Sequence, residues 1–218
     1  MPLQSSGQIS AENINSELGV STTSQLSLNG ASARGLSGQA SGDVKMSEFY
    51  SRAKNTLSFY VHRYGATIGT LYVKLYDGTT ETTIATITGQ DNSWVQFSGY
   101  ADYITAPYRV VFHYVSGNSF TGDIALDTIV INGVTYNFDS TNNGFETSTS
   151  GTSAIATAFS EKVTVPTSTT SRRWNRRTGS TPSSGTGPTS AQSASYYVYA
   201  ETSSAFNTNF WLFSPEIS

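Results

Sequence analysis

Ile124-Ala125-Leu126-Asp127-Thr128-Ile129-Val130-Ile131-Asn132-Gly133-Val134-Thr135-Tyr136 is the stretch that decides the fold. Its first eight residues form a near-continuous apolar run, long enough for a strand in the middle of a sheet. Asn132-Gly133 then supplies two residues that tolerate positive φ, as a tight hairpin turn requires. A two-residue turn sets Ile131 opposite Val134, Ile129 opposite Tyr136 and Asp127 opposite Phe138. Aliphatic and aromatic side chains then share one face, so pattern and turn agree.

Working outward, the same signature recurs. Leu57–Val61, Leu71–Tyr76 and Tyr108–Tyr114 are rich in β-branched and aromatic residues. Asp77-Gly78 and Gly89-Gln90-Asp91-Asn92 punctuate them, and further strands are expected over Glu161–Val165, Ser195–Thr202 and Asn209–Phe213. Many short strands at this spacing predict an all-β chain, a two-sheet sandwich. Composition agrees: only 12% of the 218 residues are charged, too few for long amphipathic helices. With no cysteine there is no disulfide framework and no thiolate metal site. The net charge of −3 argues against general nucleic-acid binding. No 18-residue apolar run occurs, and MPLQSSGQIS lacks a basic stretch followed by an apolar one, so neither membrane insertion nor a secretion signal is expected.

Residues 1–52 differ in character from residues 53–218. No aromatic residue precedes Phe49, and Ser and Gly crowd the segment. So little apolar surface predicts an extended, poorly hydrophobic N-terminal arm: either a flexible leader or a docking arm that orders on a partner through Ile9, Ile14, Leu18, Leu26, Leu28, Leu36, Met46, Phe49 and Tyr50. Short helical turns are expected within it. The best case is capped by Ser10, with Ile14 and Leu18 on one face and Gly19 as the stop.

Several long motifs carry a family resemblance. Trp174-Asn175-Arg176-Arg177-Thr178-Gly179-Ser180-Thr181-Pro182 continuing to Pro188, Tyr196–Ser203 and Leu212–Ile217 resemble the signature loop of MAM domains and the strands that follow it. Asn137-Phe138-Asp139-Ser140 and Gly144-Phe145-Glu146-Thr147 resemble the family's opening. The family's second half is matched earlier in the chain, by Leu57–Gly65, Gly69–Val73, Trp94, Tyr108–Phe112 and Gly122–Asp127. The order is inverted, so the resemblance implies a circularly permuted MAM-like jelly roll, with Asn132-Gly133 linking the family's usual ends. It also implies adhesion and self-association, not catalysis. Residues 5–52 separately resemble a short module of tailed-bacteriophage structural proteins, through Ser6–Ser10, Glu17–Gly19, Leu26–Asn29, Leu36–Gly38 and Met46–Tyr50.

Candidate chemistry is sparse. His62 and His113 both fall among aromatics in expected strands, with no visible base–nucleophile pair, so no catalytic residue is assigned. Asp123, Asp127, Asp139 and Glu146 lie on either side of the hairpin and form the set a calcium ion would take, although a strict turn puts Asp127 and Asp139 on opposite faces and a bulge would have to bring them together. The alternative is solvated acids at strand ends. Arg172, Arg173, Arg176 and Arg177 flank Trp174 and suit an interface with an acidic neighbour, while phosphate or sulfated glycan is the other reading. Trp174 itself is expected to pack. Trp94, Trp211, Tyr60, Tyr64, Tyr72, Tyr76, Tyr197 and Tyr199 would form a sugar platform only if clustered on an exposed face.

The reading at this level is a non-enzymatic bacteriophage virion protein of tail or neck. Its partners would be other virion proteins and copies of itself, and it would assemble in the host cytoplasm. Recognition of a host-surface receptor or glycan is the alternative.

Overall fold

A computed structural model describes residues 3–39, 41–50, 55–100, 107–141, 143–147, 160–161 and 171–217. The chain divides into two compact units, Met1–Thr56 with Tyr100–Ala106, and Leu57–Gly99 with Pro107–Ser218.

The larger unit is a sandwich of two sheets. The first contains β1 (Thr56–Arg63), β4 (Asp91–Tyr100), β6 (Ile124–Ile131), β7 (Val134–Tyr136), β11 (Trp174–Arg177) and β12 (Tyr197–Ala200). The second contains β2 (Thr70–Tyr76), β3 (Glu81–Ile87), β5 (Arg109–Val115), β8 (Glu146–Thr147), β9 (Ser160–Glu161), β10 (Ser171–Arg172) and β13 (Asn209–Phe213). Strand order is β11-β12-β6-β1-β4 in the first, with β7 also on β6, and β3-β2-β5-β13-β8-β9 in the second, with β10 on β13.

The apolar run 124–131 is β6, flanked by β12 and β1 and central as its composition requires. Its hairpin has the expected register, Ile131 with Val134 and Ile129 with Tyr136, around Asn132 and Gly133 at φ 49° and 80°. The pairing stops at Tyr136, so Asp127 does not face Phe138 in the ladder. Two departures end it: Thr128 and Phe138 both take positive φ, 48° and 61°. The β1–β6 register also slips between Ser58 and Tyr60, a bulge that re-aims Asp127.

Alternation along the strands fills the space between the sheets. Leu57, Phe59 and Val61 of β1, Leu71, Val73 and Leu75 of β2, and Val110, Phe112 and Tyr114 of β5 are all buried. Phe59 meets Phe112 of the opposite sheet edge-on at 5.1 Å and stacks on Phe97 at 4.9 Å. β3 and β4 are edge strands that the sequence reading passed over. Asp91-Asn92, read as a separator, begins β4. The strand expected over 161–165 lies outside the described residues except for Glu161, and that over 195–202 is shorter, Tyr197–Ala200.

The N-terminal unit is more than an extended arm. Helix α1 (Ala11–Leu18) begins at Ser10, whose hydroxyl accepts from Asn13 N while the Asn13 side chain accepts from Ser10 N, and it stops at Gly19 with φ 72°. A second helix, α2 (Ala31–Ser37), was not anticipated, and Met46–Phe49 forms a 3-10 turn. Leu3, Ile9, Ile14, Leu18, Ala33, Leu36, Val44 and Phe49 form a buried cluster, with Leu26, Leu28 and Tyr50 packed against it. The apolar residues expected to reach for a partner therefore pack on one another, and Met46 alone of those nine is exposed.

Polar side chains compensate for the small core. Buried Asn15 donates to the carbonyls of Thr22 and Ser24, at 3.3 and 2.7 Å. Arg34 ties Asn29 to Gly42 through carbonyl bonds of 3.1 and 2.8 Å. Loops pinned this way need less apolar burial to stay ordered.

Candidate functional site

The features singled out in the sequence come together in one loop and its anchors. Residues 178–196 leave β11 and return into β12, and on the way they cover the outer face of the first sheet. Tyr197 Oη donates to Gly179 O at 2.8 Å, Trp94 Nε1 to Ser190 O at 3.1 Å, and both Thr186 Oγ1 and Gly187 N to Tyr64 O. Thr181 closes the loop internally by donating to Thr186 O at 2.8 Å. Both faces of β12 are consequently buried, and Tyr197 and Tyr199 are not a sugar platform.

The four carboxylates do not form one site. Among the described residues no group of three or more His, Cys, Asp or Glu side chains is placed to hold a metal ion. Asp127 Oδ1 accepts from Thr128 N at 2.7 Å, and its Oδ2 from Gln192 N and Ser193 N at 3.0 and 3.1 Å. Asp139 Oδ1 accepts from Ser195 N and Tyr196 N at 2.9 and 3.1 Å. The bulge does bring these two close enough to interact: burial pushes Asp127 up to about 6, and the charge of Asp139 adds to the shift. Both oxygens of Asp127 and Oδ1 of Asp139 are nevertheless occupied by backbone amides. Asp123 Oδ1 accepts from Thr202 N and Oγ1 at 2.9 and 3.0 Å. Glu146 lies in the other sheet, 3.8 Å from Arg109.

The arginine cluster also serves the fold. Arg176 donates to the carbonyls of Phe138 and Asp139, and its guanidinium sits 3.3 Å over the Tyr196 ring. Arg177 donates to Ser180 O. Trp174 is fully buried, its backbone N–H bonded to Thr147 Oγ1 at 2.8 Å, while Thr147 donates to Trp211 O at 2.9 Å and so links β11, β8 and β13. Arg172 and Arg173 are half-buried beside them.

Both histidines are packed. His62 meets Trp94 edge-on at 5.4 Å, and burial lowers its pKa. His113 stacks on Trp211 at 3.6 Å with Nε2 2.8 Å from Asn209 Oδ1, and burial brings it down to about 4. Tyr72, His113 and Trp211 make a row on the outer face of the second sheet, with Lys74 Nζ 4.7 Å from the Trp211 ring and 2.7 Å from Glu81.

What the sequence reading missed is the loop cluster at one end of the sandwich. Ser116 Oγ donates to Ala205 O at 2.6 Å, Asn207 N to Gly117 O at 2.9 Å, and Gly122 N to Thr202 Oγ1 at 3.2 Å. On these joined loops Phe120 and Phe206 are 46% and 47% exposed. Both are isolated aromatics in polar stretches, a pattern that marks a loop tip without saying which tips are neighbours.

No solved structure matches the chain. The MAM domain family (MAM domain, meprin/A5/mu) matches residues 27–135, 109 of the 218 residues. Its β-sandwich is the architecture seen in the larger unit. The chain belongs to the MAM domain family.

Proposed function

We propose that this protein is a non-enzymatic adhesion and assembly module of a bacteriophage virion, anchored by its N-terminal unit and presenting the MAM sandwich. The observation that carries the adhesive part is the loop end: two exposed aromatic tips, Phe120 and Phe206, held by loops whose backbones bond to one another. Rigid aromatic side chains bind at low entropic cost, and repeated copies on one particle add avidity. The viral part rests on the resemblance of residues 5–52 to tailed-phage structural proteins, and the compact cluster there gives a docking unit a shape to present. Among the described residues no helix is long and apolar enough to cross a membrane.

A circular permutation fits the same reading. The family match ends at Thr135, just past the Asn132-Gly133 turn, and the segments that resemble the family's opening lie beyond it. Tyr108 and Ile217 pair through reciprocal backbone bonds of 3.0 and 2.8 Å, which ties the C-terminal segment to β5.

Host-glycan recognition is the second reading, favoured by the half-buried Tyr72–His113 pair, backed by buried Trp211, with Lys74 and Glu81 beside it. One experiment separates the two. The full chain is sedimented with tailed-phage particles assembled without it, beside a chain lacking residues 1–52 and a Phe120→Ser/Phe206→Ser variant. The proposal expects the full chain to co-sediment, the truncated chain to stay in the supernatant, and the double variant to bind particles yet lose self-association. If the truncated chain binds equally well, the anchoring role is wrong. Glycan-array binding that survives the double variant and fails in Trp211→Ala would favour the second reading.

A further inference from the structure

The second sheet carries a cavity of about 280 Å³, lined by Tyr76, Asp77, Gly78, Tyr108, Arg109 and Glu216. Strand register fixes its place. Tyr76 closes β2 and pairs with Arg109, which opens β5. Val115 closes β5 and pairs with Asn209, just after the loop that carries Phe206. The cavity and the exposed aromatic tips therefore lie at opposite ends of a seven-residue strand, about 20 Å apart.

The walls are pre-formed. Tyr76 Oη donates to Gly78 O at 2.7 Å, and the Tyr76 ring packs against buried Val111, Trp211 and Phe213. Asp77 Oδ1 accepts from Thr80 N and Thr79 N at 2.7 and 2.8 Å, and these donors hold its carboxyl below the usual carboxylate range. Reciprocal backbone bonds of 3.0 and 2.8 Å tie Tyr108 to Ile217 and set Glu216 beside the strand.

The polar groups keep spare capacity. Arg109 Nη1 donates to Ser214 O at 2.8 Å and lies 3.8 Å from Glu146 Oε1, while its other N–H groups make no hydrogen bond among the described residues. The turn bonds of Asp77 all go to Oδ1, so Oδ2 remains an acceptor. Glu216 is exposed, and its carboxylate has no partner among the described residues. A sugar ring presents hydroxyls that both donate and accept, and a C–H face that packs on an aromatic ring. Carboxylate acceptors, guanidinium donors and a half-buried tyrosine meet both needs. The volume lies just below the range of about 300–1,000 Å³ that drug-sized ligands occupy, which suits one ring rather than a chain of them. Charge selects further. Asp77 and Glu216 outnumber Arg109, whose charge Glu146 already faces, so a carboxylate or sulfate on the ligand would be repelled.

We propose that this cavity binds a single neutral sugar residue of a glycan, with Arg109 donating to its hydroxyls, Asp77 Oδ2 and Glu216 accepting from them, and its ring packed on Tyr76. The site is separate from the Tyr72–His113 face and rests neither on self-association through the aromatic tips nor on anchoring to a particle. One molecule can then hold a copy of itself at one end and a glycan at the other.

The test titrates the isotope-labelled full chain with the methyl glycosides of glucose, galactose, mannose and N-acetylglucosamine, and with glucuronic acid, followed by amide NMR shifts. At least one neutral glycoside should bind with a Kd of about 0.1–10 mM, as a few hydrogen bonds in an open pocket allow. It should shift the amides of Asp77, Gly78 and Arg109 and leave those of Phe120 and Phe206 unmoved. Asp77→Asn keeps Oδ1 as the acceptor of the turn, and Glu216→Ala removes an exposed side chain, so both should fold. Each should weaken binding about three- to tenfold, the worth of one hydrogen bond. The Phe120→Ser/Phe206→Ser variant should bind the sugar as the wild type does, so its loss of self-association and a loss of sugar binding are read independently. The proposal is overturned if no neutral glycoside shifts these amides at about 50 mM, well above the expected Kd. It is equally overturned if glucuronic acid binds more tightly than every neutral sugar, if Asp77→Asn and Glu216→Ala both bind as the wild type does, or if the shifts are confined to Tyr72 and His113.

Discussion

Asp127→Ala is expected to destabilise the sandwich by about 2–4 kcal/mol, the cost of stripping a buried acceptor from several backbone donors. The substitution removes three hydrogen bonds at once, from Thr128 N, Gln192 N and Ser193 N. The first amide sits in the bulge of β6, at a β-branched residue held at φ 48°, and the other two sit in the loop that covers the sheet. Denaturant unfolding measures the loss. Hydrogen exchange should place it, with Gln192 and Ser193 losing protection first while β2 and β5 keep theirs. The effect also has a pH sense. Burial raises the folded carboxyl to about 6, above its unfolded value near 3.8. A group raised on folding contributes stability at low pH and loses it as pH climbs through the folded pKa, so the gap between wild type and variant should narrow between about pH 4 and pH 6. A gap that widens over this range would mean that the amide donors outweigh burial.

Gly69→Ala is the second large effect, about 3 kcal/mol or more, because the added carbon meets backbone rather than a side chain that can turn away. A Cβ at Gly69 would lie 1.9 Å from Val115 O, and one at Gly117 would lie 2.0 Å from Thr67 O. The loops after β1 and β5 therefore touch main chain to main chain. Thr67 N donates to Thr121 O at 3.1 Å and Gly69 N to Tyr114 Oη at 2.9 Å, which fixes the approach. Thermal melting of Gly69→Ala beside Gly78→Ala separates the causes. Gly78 has positive φ, 98°, but open space around it, so its substitution should cost only backbone strain, about 1 kcal/mol.

These two sites show what could be read from residues alone. The hairpin register followed from the turn and the apolar pattern, because a two-residue turn leaves no freedom in which residues pair. The helix between Ser10 and Gly19 was equally legible, since its cap and stop are chemical requirements of a helix end. The bulge was not, because nothing about Thr128 advertises a positive φ. It decides where Asp127 points, so the carboxylate set was misjudged with it. β3 and β4 escaped for another reason. They lie at sheet edges, where Thr and Ser replace the alternation that marks a half-buried strand. Tyr197 and Tyr199 could be picked out as strand aromatics, yet both turned out covered. Only tertiary structure reveals that the loop folds back over its own strand. The apolar residues of the N-terminal segment could be identified one by one, but not that Asn15 and Arg34 would fix its loops closely enough for them to cluster.

The central claim is that the chain couples a MAM sandwich to a separately folded N-terminal docking unit. Hydrogen exchange on the full chain, with its solution mass measured in parallel, tests this most directly. Two levels of protection are predicted: slow exchange throughout β1, β2, β5, β6 and β13, and a distinct, weaker protection over residues 11–18 and 31–37 that a chain of residues 53–218 lacks without any change in its sandwich. One common level of protection across both units, or a sandwich that loses protection when residues 1–52 are removed, would contradict it.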